Sequence, residues 1–326
     1  MDRIGGGEFY RCVLRRFADR LRVARTAGVL GRERIGSVMT AGGGLPRIAL
    51  DRIARATASG VRTSLLSVPS AVSARAVGLS PVGEVMGCIV QHIGWGGWSG
   101  CGYRGGGFWG NDYGTSPGGY QPYVGLVRHG YDTALLRLLN EATLLEADGV
   151  IDVRISVTPL GTDNHEFIAV GSAVRLGAER SAAANLGKTT AVPFLTSLPG
   201  ADVAKLMLNG WMPTSIVYGV ALAIRHDDWQ TYSQTRSWLN TEVSGYTELT
   251  NNVRHQARAA VTAQAAQKGA GGVLITDSMV RVWEQEPSDG HRDHLAEARM
   301  FGTGVLQFAR PGGNVAPPTL TFLPLQ

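Results

Sequence analysis

The chain has 326 residues, 44% hydrophobic and 17% charged, enough for two domains that each bury a core. No apolar run approaches the roughly 18–20 residues that cross a bilayer, so a helical membrane span is excluded. The net charge of +5 is confined to residues 1–38, where nine arginines face four acids, leaving 22 basic and 22 acidic residues beyond; a groove for nucleic acid should leave a basic excess in the folded part, and none is visible.

Residues 1–60 read as a basic N-terminal extension, disordered or partly helical, with Met39 as a plausible natural start. Cys12, Cys88 and Cys101 are the three cysteines; an odd count without an export signal points to a reducing, cytoplasmic setting. The first domain is expected over 61–177. It holds "VGEVMGCIV", a short apolar run of the kind that forms buried strands.

Next comes "GWGGWSGCGYRGGGFWGNDYGTSPGG" (94–119), with twelve glycines and six aromatic residues. It opens no helix after a strand, which excludes a dinucleotide fingerprint. With Arg104 as its one cation, it is a poor stacking platform for single strands. The expectation is a surface insertion over 94–123 that contacts a protein partner or a neighbouring copy.

Beyond it, Tyr131, Ala134, Leu135, Leu138, Leu139, Ala142 and Leu145 recur at helical spacing, forming an apolar stripe with Gly149 as its stop. Strands "GVIDVRISV" and "FIAVGSAVRL" follow. A linker over 178–192 leads to a second domain, 193–310, and a proline-rich tail, 311–326.

The second domain echoes the first. Ser67-Val68-Pro69 matches Ser197-Leu198-Pro199 and, after a small length adjustment, Pro81 matches Pro213 and Val85-Met86-Gly87 matches Val217-Tyr218-Gly219. Gly149-Val150 matches Gly272-Val273, and "VGSAV" matches "FGTGV". A longer helix, Leu239 to about Gly269, takes the place of the first. Three landmarks in one order argue for tandem duplication. The fold class is α+β: two tandem copies of a small antiparallel sheet packed on one long helix. One helix leaves part of each sheet uncovered, so a homo-oligomer is expected.

The ordered set "LLSVPSAV"/"LTSLPGADV" (an opening strand), "VGEVMGCIV"/"SIVYGVALA", "EADGVIDVRI"/"KGAGGVLITDSM" and "VGSAV"/"FGTGV" resembles the YbjQ-like family, which carries a heavy-metal-binding label. The resemblance covers about 66–176 and 194–308. It implies a dodecin-type β-α-β-β unit and ring-forming, pentameric assembly.

Cys88, His92 and Cys101 are the best metal candidates, since thiolate and imidazole suit transition metals. Their spacing matches no finger, and Val220 stands where the second half would need a thiol. "DGHRDH" (Asp289, His291, Asp293, His294) reads as a solvated turn, as do "HDD" (His226, Asp227, Asp228) and "TDNHE" (Asp163, His165, Glu166). No nucleophile elbow, H-E-x-x-H or phosphate loop occurs. The expected function is a non-enzymatic oligomeric scaffold or binding module without a catalytic residue or cofactor. The alternative is a metal- or small-ligand-binding protein with its site near Cys88, His92 and Cys101 or at a subunit interface.

Overall fold

The computed structural model describes residues 44–93, 121–161, 163–177, 192–226, 229–288 and 291–307. The basic segment 1–43, the glycine–aromatic stretch 94–120, Cys101, most of the linker and the proline-rich tail lie outside the described residues.

The elements are α1 (Arg47–Ser59), α2 (Val68–Ala76), β1 (Leu79–His92), α3 (Gln121–Leu144), β2 (Gly149–Leu160), β3 (Asn164–Leu176), β4 (Phe194–Leu195), α4 (Gly200–Leu208), β5 (Trp211–His226), α5 (Trp229–Thr235), α6 (Ser244–Gln267), β6 (Gly272–Ser288) and β7 (His291–Gln307). The class is α+β. One sheet runs β1-β3-β2-β4 and the other β5-β7-β6. In both, a long strand pairs antiparallel with the last strand of a hairpin. Both long strands shift register beside a proline, between Pro81 and Gly83 and between Pro213 and Ser215.

Glycine fixes how closely each long helix lies on its own sheet. A Cβ on Gly87 would stand 2.0 Å from the Ala134 carbonyl oxygen, and one on Gly219 would stand 2.0 Å from that of Ala257. These contacts align α3 with α6, placing Tyr131 opposite Arg254 and Asp132 opposite His255 in the two patterns. On the outer edge of β1, the Met86 N–H donates 2.8 Å to Glu141 and Arg137 donates 2.5 Å to the Cys88 carbonyl. On β5, the Tyr218 N–H donates 2.7 Å to Gln264, and Lys268 donates 2.8 Å to the Ile216 carbonyl.

Several expectations change. The "opening strand" is helical: the Ser67 side chain accepts from the Ser70 N–H at 3.4 Å to start α2, with Pro69 in the first turn. That is ordinary N-cap chemistry. Pro199 occupies the same cap position on α4, so Ser67 corresponds to Pro199, not Ser197, and no length adjustment before Pro81 is needed. Helix α3 already begins at Gln121, and Tyr123 is buried, so the insertion ends before that residue. Gly149 stops no helix. It opens β2, where the Phe194 ring fills the space of a Cβ at 2.2 Å, and Glu146 takes the left-handed conformation after the helix at φ 50°. Helix α6 starts at Ser244, leaving Leu239 exposed outside it.

The layers follow from burial. Phe167 and Ala169 of β3 and Val85 of β1 pack on one side of α3, while Ile216, Tyr218, Val220 and Leu222 of β5 pack on its other side in the same core. Val217, Ala221 and Ala223 point the opposite way and meet Leu249, Val253 and Ala257 of α6. The order is therefore first sheet, α3, second sheet, α6.

Candidate functional site

The contact between α3 and the second sheet is aromatic and charged. Tyr131 lies 5.2 Å from Phe167, 5.3 Å from Tyr218 and 5.2 Å from Phe301, centroid to centroid. The Tyr218 hydroxyl donates 2.6 Å to the Asp132 carboxylate. Burial and this carboxylate both push the Tyr218 pKa up. Strand alternation puts Glu297, Arg299 and Phe301 on the same face. Arg299 donates 2.7 Å to Glu297 and 3.2 Å to the Tyr131 hydroxyl. The Tyr123 hydroxyl donates 3.3 Å to Glu297, and burial first, then Glu297, pushes its pKa to about 12. Burial opposes the Arg299 charge, but Glu297 more than offsets this and the guanidinium pKa rises. These groups keep fixed charges and hydrogen bonds between the halves.

A second polar cluster joins β5, β7 and α6. His226 bonds Asp293. The Tyr246 hydroxyl lies 2.7 Å from His294 Nε2, and His294 Nδ1 lies 3.7 Å from Glu284. Asp293 and His294 are 5% and 3% exposed, which corrects the solvated-turn reading for these two residues of "DGHRDH"; Asp289, like Asp227 and Asp228, lies outside the described residues. Strand β7 continues through both residues, with Glu284 beside His294 on the neighbouring strand and His226 and Tyr246 reaching them from β5 and α6. Asp163, His165 and Glu166 sit at the β2–β3 connection and the start of β3, with His165 and Glu166 partly buried.

Cys88 and His92 both lie on β1, four residues apart and so on one face. His92 is exposed, with Nδ1 3.2 Å from the Asn164 side-chain oxygen. Two donors do not complete a metal site, and among the described residues no group of three His, Cys, Asp or Glu is arranged to hold a metal.

That face of the first sheet is the more telling feature. Met86 pairs with Val170, Cys88 with Ile168 and Val90 with Glu166, all pointing away from α3. Val90 there is 55% exposed, while Met86, Cys88, Ile168, Val170 and Glu166 are partly buried. The corresponding row on the second sheet, Tyr218, Val220 and Leu222, is buried beneath α3.

Residues 115–177, which include α3, β2 and β3, match the YbjQ family, described as "Putative heavy-metal-binding". The chain contains a YbjQ-like segment. A Mycobacterium tuberculosis (strain ATCC 25618 / H37Rv) protein named "Encapsulin nanocompartment protein Rv1762c" is 28% identical over 238 residues, 71% of this chain and 81% of that protein. The YbjQ-like segment supplies the helix shared by both sheets. No described helix is long and apolar enough to cross a membrane.

Proposed function

We propose that this chain is a non-enzymatic, self-assembling scaffold built from a tandem duplication of the YbjQ-like unit. One observation carries this reading: the layers end in an open sheet face on one side and an open helix face on the other. In the stacking order, α6 of one copy takes the place on the next copy's first sheet that α3 takes on the second sheet. Exposed Arg254 and His255 of α6 would then face partly buried Glu84 and Glu166, a complementary pairing.

Such a contact joins two different surfaces, so it propagates head to tail and closes into a ring where the rotation permits. A pentameric ring is the form we favour from the family resemblance. The relative named as an encapsulin nanocompartment protein supports a chain that takes part in assemblies. We assign the stretch 94–120 to contacts with a protein partner, in a cytoplasmic setting.

Val170→Asp puts a charge on the open face without touching the core beneath α3. It should reduce the solution mass to one chain while the circular dichroism holds. An unchanged multimer would contradict the face assignment.

A second reading is favoured by Cys88 and His92 sharing that face, where a second copy or Cys101 could complete a transition-metal site. Zinc, copper or nickel that co-purifies and is lost on Cys88→Ser would support it. Metal-free protein with unchanged assembly in Cys88→Ser and Cys101→Ser would remove it.

A further inference from the structure

The sheet edges differ as tellingly as the faces. In the first sheet, β2 is covered by β4, a parallel strand contributed by the segment leading into α4. The Phe194 N–H donates 3.1 Å to the Asp148 carbonyl, the Thr196 N–H donates 3.0 Å to the Val150 carbonyl, and the Val153 N–H donates 3.0 Å to the Thr196 carbonyl. The second sheet ends at β6, and no described strand lies beside Gly272–Thr276. Helix side chains cap the middle of the β1 edge and part of the β5 edge, whereas the start of β6, which matches the stretch of β2 that β4 covers, has no such cover among the described residues.

The segment that would cover it is present in the chain and held in the same way as its counterpart. Before α4, the Ser197 N–H donates 3.3 Å to the Thr303 hydroxyl, Thr196 Oγ1 lies 3.0 Å from it, and the Leu198 N–H donates 3.0 Å to Thr196 Oγ1. Before α2, the Leu65 N–H donates 2.9 Å to the Ser172 hydroxyl, Ser64 Oγ lies 3.3 Å from it, and the Leu66 N–H donates 3.2 Å to Ser64 Oγ. Ser172 and Thr303 are both fully buried. Each half thus fixes a short extended segment on its own last strand through one buried hydroxyl. The 194–198 segment has a β edge beside it. Residues 61–64 are exposed.

We infer that residues 62–66 of one copy add as a parallel strand to the bare β6 edge of a second copy, as 194–198 adds to β2 within the chain. The register follows from the internal pair. Phe194 opposite Gly149 and Leu195 opposite Val150 become Arg62 opposite Gly272 and Thr63 opposite Val273. The Arg62 N–H then reaches the Gly271 carbonyl, the Ser64 N–H reaches the Val273 carbonyl, and the Thr276 N–H reaches the Ser64 carbonyl.

Burial points to the same occupant. Ile151 of β2 is 0% exposed beneath the α2–α4 contact, whereas Leu274, at the same place on β6, is 39% exposed. An uncovered edge bearing apolar side chains invites strand addition. The helices meet less closely between copies than within the chain. Gly200 lets α4 approach the Ser70 carbonyl, whereas Val68 occupies that place on α2, so the backbone ladder is the main contact.

This strand addition rests on the head-to-tail assembly proposed above and adds the edge that sets its register. The test uses the full chain with Cys12, Cys88 and Cys101 changed to serine and with Thr63→Cys and Val273→Cys added, under mild oxidation. Two-, three- and higher-chain disulfide products are expected from the double variant, and a two-chain product alone from mixing the two single variants. Thr276→Pro removes the edge N–H at a register shift, where proline is tolerated, and should lower the native mass. A native multimer that gives no linked chains and keeps its mass in Thr276→Pro overturns the strand addition but leaves the open-face reading standing. A native mass of one chain overturns both.

Discussion

Arg299 shows how much of the molecule depends on contacts between residues remote in sequence. Its side chain is 14% exposed and Glu297's is 1%, and Tyr123 and Tyr131 complete the cluster from the other half. Removing one member of a buried ion pair leaves an uncompensated charge and costs about 3–5 kcal/mol. Arg299→Ala should therefore lower the denaturant midpoint strongly, and Glu297→Gln with Arg299→Met should recover much of the loss. Similar midpoints for wild type and Arg299→Ala would show that the network contributes little. Nothing local in the sequence "HLAEARMFGTG" reveals that α3 covers these charges. Asp293 and His294 were hidden for the same reason, since Tyr246 and His226 lie far away in the chain.

At the scale of elements, the long strands and helices were legible wherever a residue's reason is local. The apolar stripe from Tyr131 to Ala142 lies in the second half of α3, with Leu145 just past its end, and Gly219 sits in β5 where "SIVYGVALA" places it. A methyl group on Gly219 would run into the Ala257 carbonyl, so strand and helix must separate. Gly219→Ala should cost about 1–3 kcal/mol, as overpacked cores do, and lower the melting temperature of the whole chain. Wild-type stability in that variant would mean that the helix shifts freely. Gly149 was misread because its reason is not local. The sequence shows a glycine after a helical stripe, but the Phe194 ring that requires it comes from across the linker. Helix α2 was hidden behind the family pattern, although Ser67 and Pro69 carried a cap signal that could have found it.

For the whole molecule, the expectation of one helix per sheet implied uncovered surface but not its place. Which face and which edge stay bare depends on α3 serving two sheets and on β4 crossing to β2, and neither follows from periodicity. The metal candidates gain only a location: Cys88 and His92 lie on the face where a second copy would sit, and Cys101 lies outside the described residues. The open face and the uncovered start of β6 are the two surfaces on which the proposed self-assembly rests. The most direct measurement is the mass of the native full-length chain by light scattering coupled to gel filtration. A discrete mass of several chains, falling in Val170→Asp, is the expected result; a stable mass of one 34.6 kDa chain at every concentration would contradict it.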